Sequence, residues 1–104
     1  MRDSNRAEDP LIRARVRVPE HVVYRDFGDE TVVLNLDSGM YHGLNRTAAV
    51  MLSVVGESDT VGAAIDRLAA EFDQPREVIE RDLLDLCHSL DERGLIEHDG
   101  GHRG

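Results

Sequence analysis

Residues 31–45 read TVVLNLDSGMYHGLN, and this stretch decides the fold. It holds two short β-type runs, Thr31 to Leu36 and Met40 to Leu44, joined by Asp37-Ser38-Gly39. Val32, Val33 and Leu34 favour a pleated, half-buried surface, and Met40, Tyr41 and Leu44 continue it. The connector reads as a three-residue hairpin loop, in which Asp37 and Ser38 suit a type I turn and Gly39 takes the left-handed conformation that closes it. Asn45 follows at once and is suited to cap a helix beginning at Arg46. The hairpin therefore feeds straight into the helical half of the chain. If Leu36 pairs with Met40, then Leu34 faces His42 and Val32 faces Leu44, which turns Leu34, Leu36 and Leu44 toward the core.

Working outward toward the N-terminus, His21 to Phe27 (HVVYRDF) gives a first strand, and Gly28-Asp29 is a turn signal. The connections are too short for parallel crossovers, so the three strands form an antiparallel meander. Arg15-Val16-Arg17-Val18 alternates charged and apolar residues, as a short strand or extended arm does before Pro19. Residues 1–14 are polar with no defensible period and are expected to be a flexible tail.

Toward the C-terminus the hydrophobic period lengthens from two to about 3.6 residues. Ala48, Ala49, Met51, Leu52 and Val55 line a first helix that Gly56 ends. Asp59 or Thr60 caps a second, with Val61, Ala64, Ile65, Leu68 and Phe72 on its inner stripe. Pro75 opens a third, where its missing N–H costs little. This helix runs to Arg93 with Ile79, Leu83, Leu86, Cys87 and Leu90 on one stripe, and Gly94 ends it. Leu95 to His98 adds a brief extended segment, and residues 99–104 are expected to fray. The folded domain is thus placed at residues 15–98. Its class is α+β: a three-stranded antiparallel sheet followed by a three-helix bundle, compatible with a winged helix-turn-helix arrangement.

Composition narrows the function. The 104 residues suit one small domain, and 40% hydrophobic residues favour a folded chain. A net charge of −9 argues against nucleic-acid and anionic-membrane partners, which require basic surface. The third helix sharpens this, since Glu77, Glu80, Asp82, Asp85, Asp91 and Glu92 outnumber Arg76, Arg81 and Arg93 and would repel a duplex. A single cysteine, Cys87, excludes an internal disulfide and fits a reducing cytosol. There is no apolar run of membrane-spanning length and no signal peptide, so a soluble cytoplasmic protein is expected.

Catalytic patterns are missing. Cys87 and His88 are sequence neighbours, but on a helix their side chains diverge by about 100° and cannot form a nucleophile–base pair. His98 and His102 are separated by Gly100-Gly101, which breaks any helix that would align them for a metal. Neither a cofactor nor an enzymatic activity is expected.

The run VVLNLDSGMYHGLNRTAAVML resembles the PqqD-like family, also called RiPP recognition elements. Leu34-Asn35-Leu36-Asp37, Ser38-Gly39, Tyr41, Gly43-Leu44-Asn45, Ala48 and Ala49 carry the likeness, and the spacing of the later helices extends it over roughly Val18 to Glu97. The resemblance implies a non-catalytic domain that binds the leader segment of a ribosomally made precursor peptide as an added strand against the third strand and third helix. It also implies delivery of that peptide to a modifying enzyme, with a lasso-peptide leader peptidase as the first choice. The expected contacts are Met40, Tyr41, His42, Gly43 and Leu44 on the strand, with Asp82, Asp85, Leu86 and Ser89 on the helix. Periodicity leaves open whether that flank or the one bearing Leu84, His88 and Asp91 faces the strand. Gly43 either admits a second backbone closely or marks a mild bulge. The rival readings are a winged-helix DNA-binding regulator and a structural domain that dimerises weakly or by swapping its edge strand.

Overall fold

The computed structural model describes residues 9–99. A 3-10 turn at Pro10–Arg13 is followed by β1 (Arg15–Arg17), β2 (Val22–Asp26), β3 (Thr31–Asn35) and β4 (Tyr41–Leu44). Helices α1 (Arg46–Glu57), α2 (Val61–Phe72) and α3 (Arg76–Glu92) come next, and β5 (Glu97–Asp99) closes the chain. The order β2-β3-β4 forms the expected antiparallel meander, and the three helices follow it. The α+β, winged helix-turn-helix-like reading therefore holds. β1 pairs antiparallel with β5 as a separate two-stranded sheet.

The helix ends follow from single side chains. Asn45 Oδ1 accepts from the Ala48 amide at 2.8 Å, and Thr60 Oγ1 accepts from the Ala63 amide at 3.0 Å. Gly94, at φ +68, terminates α3 in the left-handed region. The inner faces are Met51, Leu52, Val54 and Val55 on α1, with Val61, Ala64, Ile65 and Leu68 on α2. On α3 they are Ile79, Leu83, Leu84, Cys87 and Leu90. Leu84, expected on a flank, is fully buried, whereas Leu86 is only partly covered.

The hairpin differs from its expected register by one residue. Val33 lies opposite His42, Val32 opposite Gly43 and Thr31 opposite Leu44. The loop accordingly holds four residues, 36–39, instead of three. Asn35 is the cause. Its amide donates to the Met40 carbonyl at 2.8 Å, while its Oδ1 accepts from the amides of Asp37 and Ser38 at 2.9 and 3.2 Å. Its Nδ2 donates to the Gly94 carbonyl at 2.9 Å. An asparagine so engaged is drawn inward, and Asn35 is 6% exposed. Because strand side chains alternate, the slip moves the side chains of β3 to the other face, while those of β4 keep theirs. Val33 and Leu44 face the core, Leu36 is 60% exposed, and Leu34 stands on the outer face opposite Tyr41.

The packed region also begins earlier than residue 15. Leu11 and Ala14 are buried, and the Val61 amide donates to the Ala14 carbonyl at 2.9 Å. Asp99 pairs with Arg15, so β5 carries the ordered chain one residue past the expected boundary. The expected tails at 1–8 and 100–104, with His102, lie outside the described residues.

Two outcomes test this core. Asn35→Ala removes the side-chain bonds to the Gly94 carbonyl and to two loop amides, and should lower stability by roughly 1–3 kcal/mol in chemical denaturation. A loss within error of zero would show that Asn35 does not hold the hairpin. The Cys87 thiol is fully buried, and burial, with the charges of Asp9 and Asp91, pushes it up to about 12. A thiol reagent should therefore react in step with global unfolding across a denaturant series, and rapid labelling of the native protein would contradict this.

Candidate functional site: a strand edge beside an acidic cleft

β4 is an edge strand, bonded to β3 on one side only. In an antiparallel ladder, hydrogen-bonded pairs alternate with non-bonded ones. The Asn35–Met40 bond sets the phase, so the backbone groups of Met40, His42 and Leu44 point at β3. Those of Tyr41 and Gly43 point outward. The free edge thus presents the N–H and C=O of these two residues.

A cleft opens where β4 runs into α1. One part, about 270 Å³, is lined by Asn45, Thr47, Ala48, Met51, Asp82, Asp85 and Leu86. A second part, about 390 Å³, shares Thr47, Met51 and Asp82 and extends to Phe72, Gln74, Val78 and Ile79. Its floor is apolar, and its charged lining residues are the two aspartates. Asp82 is half exposed and lies 3.4 Å from its neighbour Arg81.

On the opposite flank of α3 two histidine–aspartate pairs form. His88 Nε2 lies 2.8 Å from Asp9 Oδ2, and His98 on β5 lies 3.4 Å from Asp91. Asp9 also caps the 3-10 turn by accepting from the Leu11 amide, so the N-terminal segment is held against that side. The flank bearing Val78, Asp82, Asp85 and Leu86 lines the open cleft.

The nine expected contact residues divide into groups. Asp82, Asp85 and Leu86 come together in the cleft next to Asn45. Ser89 is half-buried one turn on, and its carbonyl accepts from Arg93 at 3.2 Å. His42 faces the core side beside Val33; burial, and then the nearby Arg93 guanidinium, push its imidazole below the usual histidine range. Met40 is 46% exposed at the mouth of the loop. Tyr41 is 64% exposed and projects from the outer face, away from the helices. Leu44 is buried, so only its backbone belongs to the strand surface. At Gly43, a Cβ would lie 2.6 Å from Glu30 Oε2, so the group crowding this glycine is a carboxylate of the same chain.

Sequence reasoning missed the α1 contribution. Asn45 was legible only as a cap, and Ala48 and Met51 only as core. Thr47 was the available signal, an uncharged polar residue in the first turn of α1, directly before the apolar run from Ala48.

A family model described as Coenzyme PQQ synthesis protein D (PqqD) matches residues 30–96. No curated protein sequence matches the chain significantly. Among solved structures, TbiB1 in complex with the TbiA(beta) leader peptide is 31% identical, with a TM-score of 0.67 over 78% of this chain and 94% of TbiB1. A lasso peptide synthetase B1 complexed with its leader peptide is 26% identical, with a TM-score of 0.69 over 80% of this chain and 98% of the other. From the hairpin through the end of α3 and into the residues that close it, the chain is a member of the PqqD family.

Proposed function

We propose that this protein is a RiPP recognition element: a non-catalytic adaptor that binds the leader of a ribosomally synthesised precursor peptide. The observation that carries the reading is the free edge of β4 leading, through Asn45, into an open cleft whose far wall is α3. An extended peptide adding to that edge gains main-chain hydrogen bonds to Tyr41 and Gly43, while its alternate side chains enter the cleft. The two similar structures, each in complex with a leader peptide, support the same reading and favour lasso-peptide biosynthesis. Met40, Tyr41, His42, Gly43 and Leu44 form the receiving strand, with Asp82, Asp85, Leu86 and Ser89 as the facing wall. The bound precursor is passed to a leader peptidase or another modifying enzyme.

The buried Cys87 thiol is held protonated, and among the described residues no group of three His, Cys, Asp or Glu side chains is placed to hold a metal ion. Also among them, no helix is long and apolar enough to cross a membrane.

Gly43→Pro removes an N–H that points at the incoming strand and leaves every β3–β4 hydrogen bond in place. Its ring displaces only the end of the flexible Glu30 side chain. Leader affinity should fall at least about ten-fold by calorimetry, the equivalent of losing one to two hydrogen bonds. Unchanged affinity in a folded variant would rule out strand addition. An independent check leaves the protein untouched: single N-methylation along the leader should weaken binding at alternate residues only. A flat response would oppose the same model.

A further inference from the structure

The cleft that borders β4 carries one sign of charge. Its lining residues in both parts are apolar or neutral except Asp82 and Asp85. Asp82 belongs to both parts, so a carboxylate stands at the junction between two recesses, each with an apolar portion. One recess is formed by Ala48, Met51 and Leu86, the other by Phe72, Val78 and Ile79. The neighbouring Arg81 lies 3.4 Å away with its side chain half exposed, a contact that solvent screens and a ligand cation can replace. The chain as a whole carries −9, which adds a long-range pull on cationic segments.

We propose, building on the leader-binding reading above, that this cleft selects a peptide segment with a lysine or arginine between two apolar side chains. The spacing follows from the helix. Val78 and Leu86 are eight positions apart, about 12 Å along the axis. An extended chain covers that distance in about four residues, and alternate side chains share one face. Apolar, any residue, basic, any residue, apolar is therefore the motif whose first, third and fifth side chains reach the two recesses and the Asp82–Asp85 wall. The apolar pair supplies burial, and the cation supplies register. An acidic residue at the central position is repelled by both aspartates.

The test is selection from a displayed library of random dodecapeptides on the immobilised full-length chain, run in parallel on Asp82→Asn/Asp85→Asn and on Gly43→Pro. The wild type should enrich the five-residue motif, and the double variant should keep the apolar pair but lose the basic preference. A selected peptide should bind the double variant up to about five-fold more weakly per lost pair at low salt, a difference that high salt erases. Enrichment with no basic preference, or one that survives removal of both carboxylates, overturns the charge inference. Capture that Gly43→Pro still abolishes leaves the strand-addition reading standing. Peptides captured equally by folded Gly43→Pro overturn that reading as well, and failure of the wild type to enrich any sequence overturns both.

Discussion

Asn35 is the residue on which the arrangement of the binding face depends. One buried side chain closes the loop that precedes β4 and ties the hairpin to the carbonyl that follows α3. The sheet and the last helix are far apart in sequence, and this polar strap joins the hairpin to the end of that helix beside the shared apolar core. It fixes the phase of the ladder, hence which backbone groups reach the free edge, and it anchors the start of β4 against the end of α3. At its other end β4 runs without a linker into α1, whose first turn is capped by Asn45. Two asparagines thus hold the two ends of one short strand.

This division of labour explains which parts were legible in the sequence. Helix stripes, the caps at Asn45 and Thr60 and the positive φ at Gly39 and Gly94 are local, and local chemistry announces them. The strands were placed to within a residue or two for the same reason. The register was not legible, because alternation assumes that polar residues in a strand face water. Asn35 faces inward, bonded to a residue far along the chain, and reverses the inference for Leu34 and Leu36. Which flank of α3 lines the cleft was equally beyond periodicity. On the other flank Asp9 reaches His88, a contact from a segment too polar and aperiodic to suggest a packed structure.

Recognition built this way separates affinity from identity. Main-chain pairing at an edge accepts almost any extended peptide, and its strength depends little on side chains. Discrimination then falls to the cleft, where a few side chains decide which sequence sits in which recess.

The meander has two free edges, and they are not equivalent. β2 is preceded by Pro19 and carries Arg25 and Asp26, charges that discourage a neighbouring strand. β4 has no charged residue along its length and is only four residues long. An uncharged edge invites a further strand, and its brevity limits how many backbone bonds that strand gains. Lengthening β4, for instance by shortening the four-residue loop before it, would trade selective capture for aggregation.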